Sequence, residues 1–106
     1  MTEAWVVLCT CPDQTSAERL AKQLLTQGLA ACVNLLPKVR SLYLWQGQLC
    51  DDQEVQMIIK TTRQRYPALE AALSAVHPYD NPEILALAAA DGAKAYLSWL
   101  SEVTHD

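Results

Sequence analysis

Glycine, basic residues and long apolar runs are all scarce in this chain, and each shortage closes off a class of function. With three glycines among 106 residues, there is neither a phosphate-cradling glycine loop nor a nucleophile elbow. Its two histidines, His77 and His105, form no His-x-x-x-His pair of the kind that holds zinc on one helix. Eight Lys and Arg stand against twelve Asp and Glu, for a net charge of -4 without a basic run. Binding to a phosphate backbone needs clustered cations, so nucleic acid is disfavoured as a partner. No apolar stretch approaches the roughly 18 residues that cross a bilayer, and Met1-Thr2-Glu3 lacks the basic start of a secretory signal. The expectation is a soluble, cytoplasmic protein without a membrane span. About half of the residues are apolar (51%), which allows one compact domain over residues 1–106 with an adequate core.

The four cysteines are Cys9, Cys11, Cys32 and Cys50. That apolar content supports a core without covalent staples, so reduced thiols are expected. No CxxC spacing occurs among them, which disfavours a closed structural zinc site. Cys9 and Cys11 are two apart in a predicted strand and therefore share a face. Their separation there is near the upper limit for an unstrained disulfide, and they are also placed to share a soft metal ion.

Residues 4–10 form a continuous Val-rich run suited to a buried central strand. Thr15 and Glu18 have the spacing of a capping box. They predict a helix over residues 15–27 that buries Ala17, Leu20, Ala21, Leu24 and Leu25, with Gly28 as its left-handed stop. Residues 30–45 are β-rich and interrupted by Pro37, which a strand tolerates only at an edge or a bend. Gln46-Gly47-Gln48 reads as a turn. Residues 54–62 then alternate, with Val55, Met57 and Ile59 on one face and Glu54, Gln56, Ile58 and Lys60 on the other. Tyr66, Leu69, Leu73 and Val76 mark a second amphipathic helix with Pro67 in its first turn. Residues 83–89 read as a fourth strand, and Asp91 as the cap of a terminal helix carrying Tyr96, Leu97, Trp99 and Leu100.

This order is the split βαβ plan of an α+β, ferredoxin-like sandwich, with a long hairpin between its second and third strands and an extra C-terminal helix. Right-handed crossovers pair strands one and three at the centre and lay strand four antiparallel beside strand one. The end of strand one then meets the start of strand four, which brings Cys9 and Cys11 toward the segment His77-Pro78-Tyr79-Asp80-Asn81-Pro82-Glu83. A proline forces the residue before it out of the helical region, so both His77 and Asn81 are extended there and the preceding helix stops. Several groups able to bind or transfer protons are thereby held on one stiff connection.

Several segments together resemble the CutA family, the divalent-cation tolerance proteins. They are Cys9-Thr10-Cys11-Pro12-Asp13, Leu29-Ala30-Ala31-Cys32-Val33-Asn34, Ser41-Leu42-Tyr43-Leu44-Trp45-Gln46-Gly47, the strand from Glu54 through Thr62, His77-Pro78-Tyr79 with Pro82-Glu83-Ile84, and Tyr96-Leu97-Ser98-Trp99-Leu100. The resemblance implies a ferredoxin-like subunit in a tight homotrimer, similar in architecture to the PII signalling proteins, with a role in tolerance of copper and other divalent metals. A physical motive for assembly is also visible in the chain. A hairpin over residues 39–59 outreaches a small sheet whose strands run about 5–6 residues. Pairing its open edges with neighbouring subunits would bury Tyr43 and Trp45.

By the same resemblance, the family's copper-binding positions fall on Cys9 and His77. A second histidine that some members carry just before the His-Pro falls on Val76. The missing donor is then either Cys11 or absent, with Cys32 a weaker candidate. Thiolate with imidazole suits copper, Cu(I) above all, better than magnesium or calcium. The plainer readings are that Cys9 is inert core packing and that His77 only caps its helix.

Trp45, Glu54, Lys60, Tyr79 and Glu83 are further expected to line a groove between subunits, where a lysine amid carboxylates would serve an anionic ligand or proton transfer. The alternatives to metal binding are therefore a PII-like ligand-sensing or scaffolding trimer, or an enzyme using Lys60 with Glu54 or Glu83. No recognised catalytic motif supports the enzyme.

Overall fold

The computed structural model describes residues 3–105; Met1 and Thr2, which bear on the secretory-signal expectation, lie outside them. The elements run β1 (Ala4–Cys11), α1 (Gln14–Thr26), β2 (Cys32–Trp45), β3 (Gln48–Thr62), α2 (Tyr66–Val76), β4 (Leu85–Ala88) and α3 (Lys94–Val103). They form a four-stranded sheet of order β2-β3-β1-β4, and every neighbouring pair is antiparallel. This is the α+β split βαβ arrangement, with a long β2–β3 hairpin and a third helix at the end.

Alternation along the two central strands creates the core. Val7, Cys9 and Cys11 pair with Ile59, Met57 and Val55, and all six leave the sheet on one face. Leu20 and Leu24 of α1 and Leu69 and Leu73 of α2 close over that face, and each is almost wholly buried. A leucine side chain taken fully out of water contributes about 1.5–3 kcal/mol, so these helices are held chiefly by their apolar stripes.

α1 begins earlier than a capping box at Thr15 and Glu18 would have it. Asp13 is the N-cap, in extended backbone just after β1, and its Oδ1 accepts from the Ser16 N–H at 2.8 Å. A carboxylate at this place satisfies a free amide and complements the helix dipole, which displaces Thr15 into the first turn. At the other end Gly28 has φ of 68°. Leu29 N–H donates to Leu24 O at 2.9 Å and Gly28 N–H to Leu25 O at 3.1 Å, a Schellman closure that only a left-handed residue permits cheaply.

Pro37 lies in the edge strand β2, within a bulge between Leu36 and Val39 where Lys38 takes φ of 60°. Gln46 and Gly47, with φ of 51° and 79°, turn the hairpin by themselves, and Gln48 already belongs to β3. Positive φ at both turn residues matches the right-handed twist of the flanking strands. Residues 39–54 reach beyond the last β1 partner, Val55, as a two-stranded arm.

Two expectations at the end of the chain need correction. β4 starts at Leu85 rather than at residue 83; the Thr10 carbonyl, which would face Glu83 if the register continued, is taken by His77 instead. Asp91 does not cap α3. Its Oδ1 accepts from the adjacent Gly92 N–H at 2.8 Å, and the helix starts after Ala93 without a side-chain cap.

Candidate metal centre

The end of β1 and the residue that follows the last turn of α2 carry the donors. Cys9 and Cys11 alternate with Thr10 and so both point toward the helices, fully buried. His77 ends α2 in extended backbone, φ -66° and ψ 138°, the conformation that Pro78 imposes on its predecessor. Cys9 Sγ, Cys11 Sγ and a ring nitrogen of His77 all lie within 4.8 Å of one another, with Cys11 Sγ 3.9 Å from His77 Nε2. Among the described residues, three His, Cys, Asp or Glu donors converge only here.

Backbone partners settle the imidazole tautomer. Tyr79 N–H donates to His77 Nδ1 at 3.0 Å, so Nδ1 carries no proton. Nε2 lies 2.8 Å from the Thr10 carbonyl, which only accepts, so Nε2 carries the proton. Burial lowers the histidine's pKa, against the opposing pull of Thr10 and Glu54, and keeps the ring neutral, as a metal ligand must be. In the thiol pair, the hydrogen bond from Cys9 to Cys11 pushes the Cys9 pKa far up, helped by burial, and draws that of Cys11 down. Of the two thiols, Cys11 is the one whose surroundings ease loss of its proton.

This donor set suits a soft metal. Metal bonds of about 2.3 Å to sulfur and 2.0 Å to nitrogen place neighbouring donors roughly 3.5–4 Å apart, close to the separation of Cys11 and His77. Val76 is 41% exposed and lies outside the group, whose third member beside Cys9 and His77 is Cys11. Cys32 pairs with Lys60 and Cys50 with Tyr43 on the hairpin, apart from the cluster.

Thr10 and Tyr79 also border a hollow of about 750 Å³ that includes Tyr43, Trp45, Glu54 and Glu83. Glu54 is 7% exposed and accepts from the Tyr79 hydroxyl at 2.6 Å. Gln56 Nε2 donates to Glu83 Oε1 at 3.4 Å. Lys60 does not line this hollow within one chain; the grouping expected from sequence was between subunits. Lys60 lies toward the far end of β3, opposite Cys32 and Val6, and donates to Asn34 Oδ1. Among the described lining residues Glu54, Asp80 and Glu83 are acidic and none is basic.

Sequence reasoning treated Met57 only as core and gave Thr10 no role. Met57 Sδ lies 3.3 Å from Cys11 Sγ. The signal for Met57 was the β1–β3 register, in which it faces Cys9.

Residues 5–103 match the family described as CutA1 divalent ion tolerance protein. The chain is 50% identical over 101 residues to the divalent-cation tolerance protein CutA of Pectobacterium atrosepticum, covering 95% of this chain and 92% of that one. A relative of solved structure, the divalent cation tolerance protein Cut A1 of Thermus thermophilus, is 46% identical with a TM-score of 0.92, over 99% of this chain and 100% of its own. The periplasmic divalent cation tolerance protein CutA of Archaeoglobus fulgidus is 34% identical with a TM-score of 0.93, over 96% and 99% of the two chains.

Proposed function

The chain belongs to the CutA1 divalent ion tolerance family, and on that premise we propose that it is a homotrimeric copper-binding protein that takes up the metal at Cys9, Cys11 and His77. The observation that carries this reading is the convergence of two thiols and one neutral imidazole within 4.8 Å. Cys11, whose pKa is drawn below that of an ordinary thiol, would provide as a thiolate the charge a bound cation needs. When bound, copper would supply affinity for further thiolate or thioether ligands. The protein's own part is to hold the donors still: β1 fixes the sulfurs, Pro78 fixes the backbone of His77, and the Tyr79 N–H orients its ring.

Trimer formation is supported by the hairpin arm, where Leu44 and Leu49 are 72% and 73% exposed on a single chain. Monomers seldom leave such a patch in water. A cytoplasmic location is part of the same reading, because four free thiols keep best in a reducing compartment. A titration of the reduced protein with Cu(I) tests the assignment. Binding is expected at one equivalent per chain and is lost in Cys9→Ser and His77→Ala; variants that bind like the parent would move the site elsewhere.

The hollow beside the cluster gives the ligand-sensing alternative one specific support, its three carboxylates with aromatic walls. Such a lining favours an organic cation. A screen of amines that produces no thermal shift would remove that reading.

A further inference from the structure

Met57 stands directly across from Cys9 in the β1–β3 register, so the two side chains leave the sheet together beneath α1 and α2. Methionine in a core is usually gap filling. Here, however, the thioether sulfur ends against a thiol: Met57 Sδ is 3.3 Å from Cys11 Sγ, nearer than His77 Nε2 at 3.9 Å. Met57, Cys9 and Cys11 are all fully buried, so no water competes for the sulfurs.

Resting on the copper reading above, we propose that Met57 is a fourth donor and that Cys9, Cys11, Met57 and His77 form a site selective for soft monovalent cations, Cu(I) or Ag(I), over Zn(II). A thioether is neutral and polarizable. It binds Cu(I) well and adds little for zinc, which draws on thiolate, imidazole and carboxylate. Beyond the loss of the His77 Nε2–H bond to Thr10, the sulfurs need only small changes. Two sulfurs on one tetrahedral metal at about 2.3 Å stand roughly 3.8 Å apart, so Cys11 and Met57 would separate by about half an ångström, within the freedom of an unbranched side chain.

The test is a competitive titration with Cu(I), Ag(I) and Zn(II) of the reduced parent, Met57→Leu and Cys9→Ser. Leucine conserves volume at this buried site, and the thermal midpoint of the metal-free variant checks that it folds. Met57→Leu is expected to weaken Cu(I) and Ag(I) about ten- to a hundredfold, the range seen when a metal site loses supporting partners, and to leave Zn(II) unchanged. Equal Cu(I) affinity in Met57→Leu, with binding lost in Cys9→Ser, overturns the thioether donor and leaves the three-donor site standing. Equal affinity in all three proteins overturns both. A second readout needs no substitution of shape: with selenomethionine at Met1 and Met57, selenium-edge absorption of the copper-loaded protein is expected to show a metal neighbour, and its absence overturns the proposal.

Discussion

His77 Nε2 donates to the Thr10 carbonyl across 2.8 Å, and this one bond both ties the end of α2 to β1 and occupies the nitrogen that faces the thiols. Metal coordination at Nε2 must displace its proton, and the thiols must lose theirs as well. Cys9 resists most, since its hydrogen bond to Cys11 and its burial both raise its pKa. Copper affinity is therefore expected to rise with pH and fall in acid. Titrations across a pH series, with calorimetry in buffers of different ionisation enthalpy, should detect proton release; pH-independent affinity would exclude thiolate ligation.

Tyr79 holds Glu54 by a 2.6 Å hydrogen bond at the floor of the hollow. Tyr79→Phe leaves a nearly buried carboxylate short of a partner, and a loss of about 1–3 kcal/mol in urea unfolding is expected, the scale for hydrogen bonds to charged groups. Burial first, and Glu54 second, raise the tyrosine's pKa. A raised folded-state value means that this stability is complete below the unfolded pKa of about 10 and is lost as pH climbs through the folded value. The parent should therefore lose stability in alkali more steeply than the phenylalanine variant.

Gly28 accepts from His105 N–H at 3.1 Å, and a Cβ at this position would stand 2.7 Å from the His105 carbonyl oxygen. Its φ of 68° already disfavours any side chain. Gly28→Ala is expected to cost about 1–3 kcal/mol, the range for strained backbone, and to detach the segment after α3 from α1. Hydrogen exchange at His105 N–H would report the second effect.

The hairpin arm gives a separate test of assembly. Aspartate at Leu44 and Leu49, which are 72% and 73% exposed, adds no buried charge within one chain but would place carboxylates in the proposed subunit interface. Sedimentation is expected to show a trimer for the parent and smaller species for Leu44→Asp with Leu49→Asp. A double variant that sediments like the parent would place the interface elsewhere.

Much of this arrangement was legible in the sequence because it depends on period and order. Val55, Met57 and Ile59 alternate so regularly that the buried face of β3 could be read directly, and the order of elements gave the meeting of Cys9 and Cys11 with His77. What was not legible depends on competition between near neighbours. Asp13 and Thr15 both suit an N-cap, and the choice of Asp13 follows from backbone geometry after Pro12. The length of β4 turned on whether the Thr10 carbonyl would accept from an amide or from an imidazole. Lys60 and Glu54 are six residues apart in the same alternating strand, yet Glu54 reaches the hollow because the hairpin bulge and the 78–83 loop close around its end of β3. Met57 reads as core from its period alone; only its sulfur position sets it apart.

The most direct test of the site is the nitrogen-15 spectrum of the His77 ring in reduced protein, before and after one equivalent of Cu(I). The metal-free spectrum should show a neutral ring protonated at Nε2, and loading should remove that proton and shift the Nε2 resonance in slow exchange, with Nδ1 still bound by Tyr79 N–H. Bound Cu(I) with the Nε2 proton and shift unchanged would contradict coordination by His77.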